Sequence, residues 1–399
     1  MEMAELTALL TPRGLQLLDA LPPIETADDV ARTVSRLRKD GHSPDLVSAV
    51  VTQSRLRRRA EAKFGPFAAR MLFTRAGLEQ ATRLGIAARH AVRFRDAGLN
   101  RVADLGCGIG GDALGLAGLG LSVAAVDADE VTAAIAAYNL APFGDATTVR
   151  HGTAETTDLS DVDAVWLDPA RRTAGHGETT RTRPEDWSPS LDWTFDLARR
   201  MPAGIKLGPG LDRAAIPTEF EAQWVSADGS TLELVLWSGP LARDGIRRAA
   251  LVIRGDEAHE LTAPADTPDA PARDLGAYLH EPDGAVIRAR LIGDVARSLE
   301  AGMVDEHIAY LTSDAALTSP FVSTFRVREE MPAKVPAINA ALRRHGIGRL
   351  EIKKRGVDVD PAQFRRKLQL RGDDEATLFL TRVGTRRIAV LADRVSRRP

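Results

Sequence analysis

The sequence predicts an α/β fold built on a mostly parallel sheet. Three observations lead there. Short apolar runs alternate with helical stretches from residue 101 to residue 253, the pattern of strands joined by crossover helices. The first of these strands, Val102-Ala103-Asp104-Leu105, runs straight into the glycine cluster Gly106-Cys107-Gly108-Ile109-Gly110-Gly111. Two later strands end in acids, Leu121 to Val126 in Asp127 and Ala164 to Leu167 in Asp168.

The remaining elements follow in order. Residues 1–96 read as a helical domain, with apolar spacing near 3.6 over Ala31 to Leu37 and Leu46 to Val51. Pro22-Pro23 and Gly41-His42-Ser43-Pro44 break it into short helices. A further helix is expected from Gly77 to Phe94, with Leu78, Ala81, Leu84, Ala88 and Val92 on one side. Residues 97–255 form the α/β domain. Its helix Glu130 to Leu140 precedes a weaker strand, Thr147 to Arg150, and Gly204 to Leu207 is a fifth strand. Leu232 to Trp237 and Ala249 to Ile253 are expected to pair as an antiparallel hairpin. Residues 256–320 read as a connector, a loop over 256–272 and then helix over 274–316. Residues 321–399 read as a small α+β domain: strand Phe321 to Val327, helix Val335 to His345, strand Arg349 to Lys353, helix Pro361 to Leu368, and the strand pair Ala376 to Arg382 and Arg387 to Leu391.

Composition excludes several classes. With 399 residues, 44% hydrophobic and 27% charged, the chain has an ordinary globular make-up. No run of 18 uncharged apolar residues is present, so no membrane partner is expected. The opening Met1-Glu2-Met3-Ala4-Glu5 lacks a secretory profile, and a cytoplasmic location is expected. A single cysteine, Cys107, excludes an internal disulfide and a cysteine-based zinc cluster, so no metal is expected. The net charge of −2 hides a division: about +5 over residues 1–100, −17 over 101–333 and +10 over 334–399.

The glycine segment carries the chemistry. Glycines let the backbone turn tightly and approach a ligand, and ligands collect at the carboxyl ends of parallel strands. A dinucleotide loop would set a pyrophosphate over the helix N-terminus. Here Asp104 stands two positions before Gly106, and an acid there repels pyrophosphate but suits an ammonium or sulfonium. Asp127 stands where an acid can accept bonds from ribose hydroxyls. Cys107 reads as a small packing residue. Past the fourth strand, Asp168-Pro169-Ala170-Arg171-Arg172 combines hydrogen-bond acceptors with two guanidinium groups able to pair phosphate or carboxylate bidentately. His176, Trp187 and Trp193 follow as candidate stacking surfaces, with packing favoured for Trp193. Lys206 can neutralise a substrate anion or cap the sheet.

This Asp-x-Gly-x-Gly arrangement, with Asp127 and Asn139 downstream, resembles class I S-adenosylmethionine-dependent methyltransferases. Adding Asp168-Pro169-Ala170-Arg171-Arg172, Lys206-Leu207-Gly208-Pro209-Gly210, Tyr278 to Asp283, Ala309 to Asp314 and Ile352 to Gly356, most of the chain resembles a bacterial group of them with a THUMP-like C-terminal domain. The resemblance implies a Rossmann-like sheet of seven strands, mostly parallel with an antiparallel hairpin, and S-adenosylmethionine as cofactor. It places Asp104, Gly106, Cys107, Gly108, Gly110, Asp127, Ala128, Thr153, Ala154 and Asp168 around the cofactor, with Thr153 where the family has Asp. It makes Asp168, Pro169 and Arg171 the catalytic set. In enzymes that methylate exocyclic amines, an acid or amide and a prolyl carbonyl here accept bonds from the amine.

By analogy with THUMP domains the partner is RNA, tRNA or rRNA. The charge pattern points the same way: Lys353-Lys354-Arg355 and Arg365-Arg366-Lys367 lie in the basic C-terminal domain, and four of the seven lysines fall there. Residues 51–95, with 11 basic and two acidic residues, are a second expected RNA-facing region. The acidic middle leaves open a small-molecule or protein methyltransferase whose C-terminal unit is an interaction module, and the departures at Thr153, Ala170 and Arg171 leave open a cofactor binder without catalysis.

Overall fold

The computed structural model describes residues 1–171 and 187–395. The chain forms two units, Met1–Leu207 with Leu236–Ala242, and Gly208–Val235 with Arg243–Pro399.

The first unit begins with six helices: α1 (Met3–Leu9), α2 (Pro12–Asp19), α3 (Ala27–Lys39), α4 (Pro44–Phe64), α5 (Arg75–Gln80) and α6 (Leu84–Asp96). Hydroxyl caps start them where expected. Thr11, Thr26, Ser43 and Thr74 each accept a backbone N–H from the first turn of α2, α3, α4 and α5. The single helix expected over Gly77 to Phe94 is instead two, interrupted at Ala81-Thr82-Arg83. Lys63 explains the break: its Nζ donates to the carbonyls of Leu78, Glu79 and Ala81, each at 2.8 Å, and so terminates α5. The buried face of α6 is Ile86, Ala87, His90, Ala91 and Phe94, not the expected Leu84, Ala88 and Val92, which are half-buried.

The sheet of this unit then follows: β1 (Arg101–Leu105), α7 (Gly111–Gly118), β2 (Ser122–Asp127), α8 (Glu130–Leu140), β3 (Thr147–His151), β4 (Ala164–Leu167), β5 (Ala170–Arg171), β6 (Trp187–Ser188), α9 (Leu191–Arg200) and β7 (Ala203–Leu207). The neighbours run β7-β4-β1-β2-β3, all parallel. The chain winds outward from β1 through β2 to β3, then returns to the other side of β1 as β4. The order therefore reverses between β1 and β4, and a crevice opens there at the carboxyl ends. Asp104 lies on one side of it and Asp168 on the other. The short β5 and β6 pair with each other, setting Arg171 opposite Trp187.

A cluster of rings packs around Trp166 of β4. His90 stacks on Trp166 at 4.5 Å between centroids, and Phe94 and Trp237 meet Trp166 at 6.3 and 5.8 Å. Gly204 on β7 leaves room for them. A Cβ there would lie 2.6 Å from Trp166 and 2.8 Å from Trp237. Gly204→Ala should therefore destabilise the protein by about 1–3 kcal/mol through overpacking, seen as a lowered Tm; an unchanged Tm would show that the ring cluster yields.

The second unit opens with β8 (Glu221–Ala227), β9 (Ser230–Trp237, its last two residues counted with the first unit), β10 (Arg248–Arg254) and β11 (Glu257–Ala263). The expected hairpin of the strands now β9 and β10 is not formed. β9 turns back on β8 through Asp228-Gly229, both at positive φ as a two-residue hairpin turn needs. β10 runs parallel to β8, and β11 antiparallel to β10. β8 and β11 are strands beyond the seven expected. In β8 every residue is buried, including Glu221 and Gln223; Arg243 clamps Glu221 at 2.6 Å, and Gln223 donates to Glu260 at 2.5 Å. β11 exposes its polar residues as an edge strand does.

Next come β12 (Tyr278–Pro282), α10 (Gly284–Arg288), α11 (Ile292–Ser298), β13 (Gly302–Asp305), β14 (Ile308–Ser313), β15 (Val322–Pro332), α12 (Val335–Arg344), β16 (Ile347–Lys354), α13 (Pro361–Arg365), β17 (Asp374–Val383) and β18 (Arg386–Arg394). The expected helix over 274–316 is thus confined to α10 and α11. The flanking segments are strands of a seven-stranded sheet ordered β13-β14-β12-β15-β18-β17-β16. Alternate residues feed its two faces: Leu378 and Leu380 pack with Ile338 and Leu342 of α12, while Phe379 packs with Tyr310 and Phe325. Among the described residues, no helix is long and apolar enough to cross a membrane.

Candidate active site

The glycine loop between β1 and α7 is held in place by its own backbone. The amides of Gly106 and Cys107 both donate to Val126 O, at 2.9 and 3.0 Å, and Gly110 N donates to Cys107 O. Gly106, Gly108 and Gly110 all have positive φ. At Gly106 the requirement is also spatial, because a Cβ would lie 3.0 Å from the carbonyl oxygen of Asp168. The loop is thereby pressed against the start of the Asp168-Pro169 segment.

Asp127, at the end of β2, faces the loop. Its Oδ2 accepts from Gly108 N and its Oδ1 from Asp129 N, both at 2.9 Å. One N–H on each oxygen leaves lone pairs free for two hydroxyl donors. Gly152 N donates to Asp127 O, which brings Thr153 and Ala154 to the same strand ends as Ala128. Ala154 is buried and Ala128 exposed; Thr153 is exposed, with its hydroxyl 3.1 Å from that of Thr156. Cys107 is 7% exposed, and burial, with Asp104 and Asp127 nearby, pushes its thiol well above the usual range.

Asp104 is the most unusual group. It is 1% exposed, and neither carboxylate oxygen has a hydrogen-bond partner among the described residues. Burial, reinforced by the Asp112 and Asp168 carboxylates, raises its carboxyl well above the ordinary value. A buried acceptor left without a donor is costly, and such groups mark places where a ligand completes the bonding.

Across the crevice, Pro169 is buried and the Asp168 side chain is 35% exposed. Lys206 Nζ on β7 lies 2.6 Å from Asp168. The same ammonium reaches Thr82 Oγ1 at 2.9 Å and Asp112 Oδ2 at 3.2 Å. Asp112 also accepts from Thr82 Oγ1 at 2.8 Å and faces His90 Nδ1 at 3.1 Å. Burial alone would raise the Asp112 carboxyl; Lys206 and His90 outweigh it and hold the group below the usual range. Sequence reading missed Thr82, His90 and Asp112 and left Lys206 between two roles. The available signals were a lysine inside an apolar strand and an acid directly after the glycines.

Asn139 ties this site to the helical segment. Its side chain accepts from Leu72 N at 2.7 Å and donates to Leu72 O and Ile109 O. Trp187 is buried and Trp193 half-buried. The Arg171 side chain, Arg172 and His176 lie outside the described residues.

In the second unit the expected basic residues separate into two kinds. Lys353 is paired to Glu281 at 2.7 Å and Glu351 at 3.4 Å. Arg355 donates to Ala309 O and covers the Tyr310 ring, and Arg365 donates to Leu350 O. Lys354, Arg366 and Lys367 are exposed, with side chains unpaired among the described residues. The basic stretch of residues 51–95 divides similarly. Arg57, Arg58 and Arg59 pair with Asp19, Glu25 and Glu79, while Arg55, Arg70 and Arg75 are exposed and unpaired among the described residues. Among the described residues, no group of three or more His, Cys, Asp or Glu side chains could hold a metal ion.

The residues fit the cofactor implied by the sequence resemblance. The unpartnered Asp104 carboxylate meets the need of an ammonium or sulfonium, Asp127 that of a ribose diol, and Gly108, with open space where a Cβ would stand, lets a ligand lie against the backbone.

Comparison with known proteins bears on both units. Residues 322–394 match the family described as THUMP domain-like, and residues 2–60 match one described as a domain of unknown function. The chain is 33% identical over 358 residues to an uncharacterized S-adenosylmethionine-dependent methyltransferase of Mycobacterium tuberculosis, found in strains CDC 1551 and H37Rv. The match covers 88% of this chain and 95% of that relative. A protein of Porphyromonas gingivalis W83, provisionally named a methyltransferase, has a crystal structure similar over 99% of both chains, with a TM-score of 0.71 and 19% identity. This second likeness shows the fold.

Proposed function

This chain belongs to the S-adenosylmethionine-dependent methyltransferases, and from that premise we propose that it methylates an amine of a nucleobase in structured RNA, tRNA or rRNA. The cofactor supplies an electrophilic methyl group on a sulfonium. Asp104 pairs with its cationic end, Asp127 takes the ribose hydroxyls, and the loop glycines, Cys107, Ala128, Thr153 and Ala154 line its path. Asp168 and the Pro169 carbonyl accept N–H bonds from the amine and aim its lone pair at the methyl. Amine methylation needs this positioning more than acid–base help. The observation that carries the reading is the pairing across one crevice of a buried, unpartnered acid with a second acid on the facing strand end.

RNA as the partner is supported by the THUMP-like match and by exposed cations that no carboxylate neutralises among the described residues. From the two basic runs of the second unit these include Lys354, Arg366 and Lys367; in the first unit they include Arg55, Arg70 and Arg75, and Phe67 there is an apolar side chain 58% exposed and suited to stacking on a base. The RNA-facing set in the second unit is therefore narrower than the six basic residues of the two runs. Lys354→Glu/Arg366→Glu/Lys367→Glu should weaken binding of total tRNA at least tenfold. It should also flatten the log–log salt dependence by about 0.9 for each phosphate that the variant no longer neutralises. Filter binding between about 50 and 200 mM salt reads both, with S-adenosylhomocysteine binding as the control for folding. Unchanged RNA affinity in the triple variant, with a metabolite or protein pool labelled instead, would favour the small-molecule or protein reading.

A further inference from the structure

One buried polar chain in the first unit takes no part in the chemistry described above. Lys206 projects from β7 with its side chain only 11% exposed. An ammonium has three N–H donors, and among the described residues three acceptors lie within reach of it: Asp168 at 2.6 Å, Thr82 Oγ1 at 2.9 Å and Asp112 at 3.2 Å. Two of these are themselves immobilised. Thr82 sits in the break between α5 and α6, and Asp112 in the first turn of α7, where it also faces His90. His90 lies flat on Trp166, the residue two before Asp168 on β4. The packed interior thus fixes the lysine head, and its remaining side meets Asp168.

This arrangement is more than a cap on the sheet. Among the described residues, Asp168 is faced by Asp104 from β1 and by Lys206 from β7, and Asp112 from α7 shares that same ammonium. Asp104 and Asp112 thus bring two further carboxyl groups to the same lysine. Removing the lysine takes away a cation that favours the ionised form of Asp168 beside its neighbouring acid. With it, the carboxylate has a cation 2.6 Å away that favours its charged form and fixes its place.

We infer that Lys206 is a positioning residue, which holds Asp168 as a fixed anionic acceptor so that the crevice takes a methyl acceptor presenting an N–H donor and rejects one presenting an anion. The inference rests on the reading of Asp168 as the anchor of the acceptor. It also decides between the two roles the sequence leaves open for Lys206. The ammonium is already engaged by carboxylates of the protein and does not serve as a receptor for a substrate anion.

The test titrates Asp168 itself, so it needs no knowledge of the acceptor. Full-length protein labelled with 13C at aspartate carboxyls and saturated with S-adenosylhomocysteine is followed by NMR across pH, and Asp168→Asn identifies the resonance. Lys206→Met should raise the Asp168 midpoint by about 1–3 pH units, the range for loss of an adjacent cation. Lys206→Arg should return it toward the wild-type value. Lys206→Gln keeps donors but no charge; it should raise the midpoint too, and serves if the methionine variant does not fold. An unchanged midpoint in the uncharged variants, even with a lowered Tm, would reduce Lys206 to a structural residue and overturn the inference. A raised midpoint in a protein that methylates no RNA would leave the positioning role standing and overturn the RNA reading instead.

Discussion

An Asp168→Ala variant should lose methyl transfer by a factor of about 10²–10³, the usual cost of misplacing a reacting group or losing a directed hydrogen bond. Alanine removes the acceptor that orients the amine, and it leaves the Lys206 ammonium to Thr82 and Asp112. Asp168→Asn should retain part of the activity, because an amide oxygen still accepts an N–H bond although it no longer pairs with the ammonium. Both variants should bind S-adenosylhomocysteine with far smaller losses, since the loop and Asp104 are untouched. Measured as kcat, KM and cofactor Kd, the effect should fall on kcat. A loss confined to cofactor binding would show that Asp168 belongs to the cofactor site alone.

Asp104→Asn should separate stability from function. The variant should bind S-adenosylhomocysteine about 10–100-fold more weakly, the worth of a charge-assisted bond. It should also be more stable than the wild type without ligand, by about 1–3 kcal/mol at neutral pH, because a buried acid with no donor is replaced by a neutral group of the same shape. The pH dependence has a definite sign. Burial and the neighbouring acids raise the folded-state carboxyl above its unfolded value of 3.8. The folded protein therefore keeps this proton to higher pH than the unfolded chain, and stability is lost as pH rises through that interval. The Tm advantage of Asp104→Asn should be absent at acid pH and grow with pH until the folded carboxyl has ionised. Over the same interval wild-type cofactor affinity should rise, with release of a proton on binding. Thermal unfolding and calorimetry in buffers of different ionisation enthalpy read these quantities. A variant less stable than wild type at every pH would mean that Asp104 is paired without the ligand.

The legible parts of the site are those that are contiguous in the chain and sit at strand ends. Asp104 through Gly110, Asp127 and Asp168 each announce themselves by an acid or a glycine directly after an apolar run, and the parallel order brings them together. The Lys206 chain is illegible for the opposite reason: Thr82, His90, Asp112 and Lys206 come from separate elements, and each alone reads as a helix or strand residue. The break at Thr82 hides because apolar periodicity continues across it, while Lys63, which causes it, is distant in sequence. β8 hides because Glu221 and Gln223 spoil the strand pattern, and their partners Arg243 and Glu260 lie well downstream. Charge runs are the least faithful signal. They locate a basic domain but do not show that Lys353 is already bound to Glu281, while Lys354 beside it is exposed and unpaired among the described residues.

The central claim is that the Asp104–Asp168 crevice transfers a methyl group to a base in RNA. Mass spectrometry of nucleosides from purified tRNA and rRNA, compared between cells with and without the gene, tests it most directly. The expected result is that one N-methylated nucleoside disappears with the gene, returns with the wild-type chain and does not return with Asp168→Ala. Identical nucleoside profiles in the two strains would contradict it.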